Sequence, residues 1–203
     1  MNTTSTGDNG APYTVAIVAM GPSRADYMNE AVNGASSDSV ADEVWAINAM
    51  AGIIQHDRAI IMDDLNYFSK AGREMNPHLR GYASWLPKHP GPIFAQREYD
   101  EFPGAVEYPI KEVCLKLGYA YFNSTVAYAV GLAIYEGVKH LKLYGCDFTG
   151  AANADGQSGR ACVEFWLGRA TLQGMRVTIA PSSTLCDQKT GRPLYGYSTP
   201  PKL

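Results

Sequence analysis

A Gly-Pro-Ser turn at residues 21–23 separates a short apolar run from a stretch that suits a helix. Backbone N–H groups at the start of a helix, together with the helix dipole, favour an anionic group such as a phosphate. The turn is neither the G-x-G-x-x-G dinucleotide fingerprint nor a P-loop, because the later glycines and the Lys-Ser/Thr pair are missing. Gly21, Pro22 and Ser23 are therefore candidate phosphate-binding residues, and the alternative interpretation is that they only turn the chain.

Further polar groups stand at predicted strand ends or helix starts. They are Asn48, then Asn123, Ser124 and Thr125, and finally Asp147 with Phe148. A carboxylate such as Asp147 can hold a ribose, a metal or a substrate hydroxyl, whereas Asn123 or Ser124 also suits a plain helix N-cap. Ligands of open α/β sheets collect at the carboxyl ends of the strands, so the set predicts one binding pocket.

Three residues are candidates for proton transfer, namely His89, Glu164 and Asp147. His89 lies in a proline-rich segment where it can approach an acceptor, although a lone loop histidine is commonly a surface residue. Arg160 and Glu164 are one helical turn apart, so Arg160 can bind a phosphate while Glu164 accepts a proton from a hydroxyl. An ordinary i,i+4 ion pair is the alternative for these two.

Asp63 and Asp64 follow the third apolar run of the chain and form a candidate metal site. Mg²⁺ is commonly held by one or two carboxylates plus phosphate oxygens, as a diphosphokinase requires. The alternative is an acidic pair at the N-terminus of a helix, where the helix dipole favours negative charge. Mg²⁺ is therefore expected only if the chemistry involves a triphosphate.

The elements that position these residues alternate between short apolar strands and helical segments. Strands are predicted at 13–20, 43–48, 58–62, 93–96, 140–144 and 176–180, and helices at 24–32, 124–137 and 160–172. Uninterrupted apolar runs are typical of parallel strands buried on both faces. The fold class is therefore α/β, a single Rossmann-like domain over residues 13–203 with a mostly parallel sheet and helices on both faces. Residues 1–12 form a flexible arm.

Prolines interrupt this pattern between residues 66 and 109, where only one short strand is predicted. Long irregular segments in compact domains are commonly functional, so we interpret 66–109 as an insert that forms a lid or an acceptor pocket. A plain surface loop is the alternative.

Composition narrows the class of protein. The 203 residues are 46% hydrophobic, which excludes a disordered chain. They include 17 Lys plus Arg against 20 Asp plus Glu, so the chain lacks the basic excess of a nucleic-acid binder. No apolar run approaches the ~20 residues needed to span a membrane, and the N-terminal arm is not a secretory signal. The four cysteines have no C-x-x-C spacing and predict buried free thiols of a cytoplasmic protein.

Three segments carry a resemblance: A-M-G-P-S (19–23), V-W-A-I-N (44–48) and F-N-S-T-V-A-Y through L-Y-G-C-D-F (122–148). Together they resemble the Rossmann-like family of bacterial lipooligosaccharide sialyltransferases and 6-hydroxymethylpterin diphosphokinase-like proteins, over most of the chain. The resemblance implies a nucleotide or nucleotide-sugar pocket lined by Gly21, Pro22, Ser23, Asn48, Ser124, Thr125, Asp147 and Phe148. Met20 replaces the family's turn Asn, and the catalytic His that follows the family's Asp has no counterpart.

Three functions follow as hypotheses. The first is a glycosyltransferase-like enzyme that takes a nucleotide-sugar donor as co-substrate and transfers to a glycan, a small molecule or a modified nucleic acid. The second is a Mg²⁺-dependent diphosphokinase acting on a small hydroxymethyl substrate through Asp63, Asp64 and Asp147. The third is a nucleotide-binding or sequestering protein without catalysis, because a fold by itself does not fix an activity. The small helix faces can pack within one subunit or between the subunits of a homo-oligomer.

Overall fold

The computed structural model describes residues 13–34, 40–148 and 154–187, together with Gly196. The predicted N-terminal arm lies outside the described residues, as does most of the polar segment after residue 187. None of the helices in the described ranges is long and apolar enough to cross a membrane.

A seven-stranded, fully parallel sheet forms the centre of the molecule. Its strands are β1 (Thr14–Val18), β2 (Glu43–Ile47), β3 (Arg58–Ile60), β4 (Ile93–Ala95), β5 (Ala105–Glu107), β6 (His140–Tyr144) and β7 (Arg176–Ile179). They lie in the order β5-β4-β3-β2-β1-β6-β7, so the direction of chain progression reverses between β1 and β6. In a doubly wound sheet such a reversal opens a crevice at the carboxyl ends of the two strands.

Helices cover both faces of the sheet, which confirms the predicted α/β class. The helices are α1 (Arg24–Asn33), α2 (Lys70–Met75), α3 (Ile110–Leu117), α4 (Thr125–Glu136) and α5 (Ala154–Leu172). Along β1, Val15 and Ile17 pack with α3, α4 and α5, whereas Ala16 and Val18 pack with α1 and the segment around α2. The two-residue period of the strand therefore divides the core into two layers.

The region 66–109 differs from the expected irregular insert. It supplies α2, several 3₁₀ turns and two strands, β4 and β5, which complete one edge of the sheet. β5 has only Ala105 and Val106 as apolar residues before Glu107, a run shorter than those that revealed β3 and β4. The expectation of a single strand here is therefore wrong, and α3 directly after Pro109 was also missed.

Two smaller predictions need correction. Helix α5 begins at Ala154, six residues before the predicted start, because Gly156 and Gly159 are helical despite their low propensity. Cys146 and Cys162 are buried free thiols as predicted, whereas Cys114 is half-buried and Cys186 is exposed. By contrast, Ser124 caps α4 and Gly137 ends it with a φ of 80°, both as predicted.

An arginine on β3 ties the opposite, amino-terminal edge of the sheet to α4. The Arg58 guanidinium lies 2.7 Å from a carboxylate oxygen of Glu43 and 2.7 Å from one of Glu136, and 4.8 Å from the centroid of the Trp45 ring. Burial alone raises the pKa of Glu43, but hydrogen bonds from Tyr13, Trp45 and Arg58 outweigh it and hold that pKa below its usual value. The arginine therefore neutralises two carboxylates that the fold brings together.

Replacing this arginine tests its contribution. Arg58→Met keeps the aliphatic stem but leaves Glu43 and Glu136 without their cation, so we expect a loss of about 2 kcal/mol in the free energy of unfolding. Arg97→Met is the matched control, because Arg97 is exposed and 4.0 Å from Asp64, and we expect less than about 0.5 kcal/mol there. Urea denaturation measures both, and equal losses would contradict a special role for Arg58.

Candidate functional site

A cavity of about 270 Å³ opens at the carboxyl ends of β1, β2 and β6, where the strand order reverses. The start of α4 closes one side of it. The lining residues are Ala19, Met20, Gly21, Ile47, Asn48, Ser124, Thr125, Val126, Gly145, Cys146, Asp147 and Phe148. Six of the residues predicted from the sequence therefore come together here: Gly21, Asn48, Ser124, Thr125, Asp147 and Phe148.

Asp147 joins the turn after β6 to the turn after β1. Its carboxylate is 2% exposed, and Oδ2 accepts a hydrogen bond of 2.7 Å from the Ser23 N–H. The Gly21 N–H likewise donates to the Gly145 carbonyl oxygen at 2.8 Å. In the reverse direction, the Gly145 N–H donates to the Ser23 hydroxyl oxygen at 2.8 Å. These three bonds clamp the two turns together directly beside the cavity.

The clamp changes the role of the Gly-Pro-Ser turn. The N–H groups of Gly21 and Ser23 bond to Gly145 and Asp147, and Pro22 has no N–H. The next N–H groups, beginning with Arg24, bond back to carbonyls of the turn. The geometry therefore leaves the turn no N–H group for the phosphate expected from the sequence, and the turn instead positions Asp147.

Helix α4 offers free N–H groups, which the Gly-Pro-Ser turn does not. Ser124 caps the helix through its hydroxyl, which accepts from the Ala127 N–H at 3.3 Å. Thr125 and Val126 line the cavity, and their N–H groups make no hydrogen bond within the described ranges. The first N–H groups of a helix carry the positive end of its dipole, so this end of the cavity suits an anionic oxygen.

Two acceptor oxygens in the cavity wall are buried without a hydrogen-bond partner. They are Oδ1 of Asn48 and Oδ1 of Asp147. Asn48 has a φ of 53°, in the left-handed region, and Phe148 in the same wall has a φ of 50°. Such backbone conformations are costly for residues with side chains and concentrate at functional sites. The wall therefore contains two strained residues and two oxygens that await a donor.

The electrostatic character of the cavity is acidic. Among the described residues that line it, Asp147 is the only charged side chain. The nearby Arg24 points its guanidinium to the carbonyl oxygens of Met20 and Gly21, at 2.5 and 3.2 Å, and thus supports the turn from behind. The part of the lining that the structure describes contains none of the lysine and arginine side chains that usually surround a triphosphate.

The remaining predicted nucleotide-binding residues do not line the cavity. The Asn123 amide donates to the Ser158 hydroxyl at 2.8 Å and so joins the start of α4 to α5. Arg160 Nε lies 2.8 Å from Glu164 Oε1, which is the ion pair anticipated as the alternative. The same Glu164 oxygen accepts from the Cys186 N–H at 2.9 Å. The structure therefore places Glu164 in a contact between α5 and the segment after β7.

The proposed proton-transfer and metal residues on the other side of the sheet are also apart from the cavity. His89 lies against His56, with their Nε2 atoms 2.8 Å apart, and burial followed by the effect of His56 lowers the pKa of His89. Asp64 accepts from the Asn66 N–H at 3.0 Å, which lowers its pKa and makes it the cap of a 3₁₀ turn. Within the described ranges no group of three or more metal-ligating side chains occurs, and neither Asp63 nor Asp64 lines the cavity.

Sequence reasoning did not single out six of the lining residues as candidate binding residues, namely Ala19, Met20, Ile47, Val126, Gly145 and Cys146. Gly145 and Cys146 directly precede Asp147. Ala19 and Ile47 lie at the ends of the apolar runs of β1 and β2, which is the signal that finds them, and Val126 lies in the first turn of α4. Together with Met20 and Phe148 they make much of the wall apolar, which suits a planar ring of a ligand.

Comparisons with known proteins yield similarity to solved structures alone. No protein-family model and no curated protein matches the chain. Among solved structures, the chain is similar to the sialyltransferase CstII from Campylobacter jejuni, determined in complex with a substrate analogue, CMP-3FNeuAc. The identity is 17%, the TM-score is 0.49, and the match covers 86% of this chain and 83% of that chain. A similarity at this level assigns no function.

A methyl group placed in the clamp tests its importance. A Cβ at Gly21 would lie 2.4 Å from Asp147 Oδ2 and 2.5 Å from the Gly145 carbonyl oxygen. Gly21→Ala must therefore separate the two turns, and we expect a loss of about 2 kcal/mol in unfolding free energy. Thermal and urea denaturation measure the change.

The control for this substitution is Gly168→Ala in α5. Gly168 is exposed and helical, and a Cβ there meets no atom within 4 Å. Because alanine has the higher helix propensity, we expect a gain of up to about 1 kcal/mol. A Gly21→Ala protein as stable as the parent would show that the clamp can open without loss.

Proposed function

We propose that the chain binds a nucleotide in this cavity and acts as a nucleotide-dependent transferase, of the glycosyltransferase type, with a nucleotide sugar as co-substrate. One observation carries the proposal. Two buried acceptor oxygens without partners, from Asn48 and Asp147, and two unbonded N–H groups, from Thr125 and Val126, belong to residues that line the same cavity. The site thus offers acceptors and donors at the position where α/β sheets commonly bind nucleotides.

A nucleoside with one phosphate matches both kinds of group. Ribose hydroxyls and exocyclic amines donate hydrogen bonds, which the oxygens of Asn48 and Asp147 accept. The phosphate oxygens accept from the N–H groups at the start of α4. A buried acceptor left unsatisfied costs about 1–3 kcal/mol, so a ligand that donates to these oxygens gains that energy on binding.

The charge of the wall favours a single phosphate over three. Asp147 repels additional phosphates, and the lining residues that the structure describes include no cation. A sugar joined to a nucleoside through one phosphate therefore fits this wall better than a triphosphate with Mg²⁺. Asp63 and Asp64, the metal ligands of the diphosphokinase hypothesis, do not line this cavity, which is a further argument against that hypothesis.

In the transfer step, the bond between the sugar carbon and the donor phosphate breaks, and both electrons remain on the phosphate oxygen. The N–H groups of Thr125 and Val126 stabilise the charge that develops there. The acceptor hydroxyl forms the new bond to the sugar carbon and loses its proton, which the released phosphate takes up. This route requires no histidine in the cavity.

A nucleotide-binding protein without catalysis is the second candidate. It is favoured by a specific observation: among the described lining residues, Asp147 is the only carboxylate and no histidine occurs, while burial raises the pKa of the Cys146 thiol. His89 and Glu164 hold other partners. The two candidates differ in one result, because the transferase releases the free nucleotide from a nucleotide sugar in the presence of an acceptor and the binding protein does not.

A thermal-shift panel tests nucleotide binding directly. We expect CMP or UMP, at 100 times the dissociation constant, to raise the free energy of unfolding by about 2.7 kcal/mol without Mg²⁺. ATP is the comparison ligand, with and without Mg²⁺. A shift with ATP that requires Mg²⁺ would favour the diphosphokinase instead, and no shift with any ligand would remove the proposed function.

Two substitutions test the buried oxygens while preserving the fold. Asp147→Asn retains an oxygen that can accept from Ser23 but removes the charge, whereas Asp147→Ala would break the clamp as well. Asn48→Gly removes the amide and tolerates a φ of 53°. For each we expect about tenfold weaker binding of CMP, equivalent to 1.4 kcal/mol, with urea denaturation to check the fold. Unchanged affinity in both variants would place the nucleotide elsewhere.

A further inference from the structure

Two histidines from different parts of the chain share one proton. His56 and His89 face each other through their Nε2 atoms at 2.8 Å, with the rings 5.0 Å apart and nearly parallel. His56 Nδ1 lies 2.8 Å from the Ile54 carbonyl oxygen, and the Gly91 N–H donates to His89 Nδ1 at 2.9 Å. Both outer nitrogens are thus held by backbone groups.

These partners assign the position of every proton in the pair. A carbonyl oxygen only accepts, so His56 carries its hydrogen on Nδ1 and leaves Nε2 bare. The Gly91 N–H only donates, so His89 Nδ1 is bare and its hydrogen is on Nε2. His89 therefore donates to His56, and both rings are neutral.

A further proton cannot be added without breaking one of these hydrogen bonds. On His56 Nε2 it would face the Nε2–H of His89, and on His89 Nδ1 it would face the Gly91 N–H, so that two hydrogens would oppose each other. Both rings are half-buried, which limits their solvation by water. The closed pair therefore requires two neutral imidazoles.

Other charged groups near the pair do not compensate a proton there. The Asp57 carboxylate accepts from the backbone N–H at the start of β2, at 2.7 Å, and Lys88 is exposed. Tyr82 contacts the indole that borders His89 and carries no charge near neutral pH. Burial is the first cause of the lowered pKa of His89, and the second is His56 itself. Acid therefore opens the pair instead of charging it in place.

The pair connects the 66–109 region to the loop that begins at Asn48. His56 lies at the end of that loop, which runs through the 3₁₀ turn Asn48–Gly52 to β3, and His89 directly precedes β4. A second contact supports the same junction, because a Cβ at Gly52 would lie 2.4 Å from Trp85 Nε1. The loop that holds the unpartnered Asn48 oxygen therefore rests on the 66–109 region.

We propose that His56 and His89 form a proton-sensitive latch that holds the 66–109 region against the Asn48 loop when both rings are neutral and releases it in acid. The coupling of the latch to the cavity rests on the proposed nucleotide binding. The closed pair has no place for an added proton, but an opened histidine takes one up below the ordinary histidine pKa of about 6.5. Closure is therefore complete above that pH and is progressively lost as the pH falls below it.

Hydrogen exchange of the full chain without ligand tests the latch alone. At pH 5.5 each opened histidine is stabilised about tenfold by its proton, so opening that frees both rings should cost the amides of residues 53–57 and 86–91 about a hundredfold in protection relative to pH 7.5, after correction for intrinsic rates. Amides of β1 and β6 serve as the internal reference. Equal protection of the junction at both pH values would overturn the latch.

Three variants separate the latch from general acid sensitivity. His56→Gln and His89→Gln should expose the junction equally at both pH values, because neither retains a pair of imidazoles. His78→Gln is the matched control, since His78 is an exposed histidine of the same region, and it should keep the pH dependence of the parent. A pH dependence that persists in both latch variants would assign it to other groups.

Binding of CMP to the same proteins tests the coupling to the cavity. The affinity of the parent and of His78→Gln should fall between pH 7.5 and 5.5, whereas the affinity of His56→Gln and His89→Gln should change little. If CMP binds equally at both pH values while exchange at the junction changes, the coupling is wrong and the latch stands. If CMP binds at neither pH, the proposed function fails, and exchange alone still decides the latch.

Discussion

The site depends on the clamp between the turns that follow β1 and β6. Each turn supplies a donor and an acceptor to the other, and the carboxylate of Asp147 is the central member. The pairing of β1 with β6 brings the two turns side by side, and the clamp continues their contact beyond the last ladder bond. The clamp fixes one wall of the cavity and holds one carboxylate oxygen in a buried position with no partner. One side chain therefore contributes both to the contact between the turns and to the lining of the cavity.

The opposite wall is constrained differently. Helix α4 is capped by Ser124, and its next two N–H groups line the cavity. Asn48 lines the cavity with its backbone in a left-handed conformation, directly after β2. A wall with N–H donors, a wall with acceptor oxygens and the lack of cationic side chains among the described lining residues are the observations on which the proposed nucleoside monophosphate ligand rests.

The 66–109 region has a larger structural role than its prolines indicate. It completes the sheet with β4 and β5 and supports the Asn48 loop through Trp85 and His89. A region that both extends the core and touches a binding loop can transmit a change in one place to the other, provided that the contact has two states. The histidine pair supplies such a contact, because its hydrogen bonds fix both tautomers and leave no position for an added proton.

The sequence by itself determined the order of most elements, the α/β class and the convergence of Asn48, Ser124, Thr125, Asp147 and Phe148, because these follow from local apolar runs and their ends. Only the tertiary structure decided which partners the polar groups take. Ser23 and Asp147 are 124 positions apart, and His56 and His89 are 33 apart, so no local pattern reports either contact. The ion pair of Arg160 and Glu164 was foreseen as an alternative, since both lie on one helix. Spacing within a helix is encoded locally, whereas a bond between distant turns exists only after the sheet has brought them together.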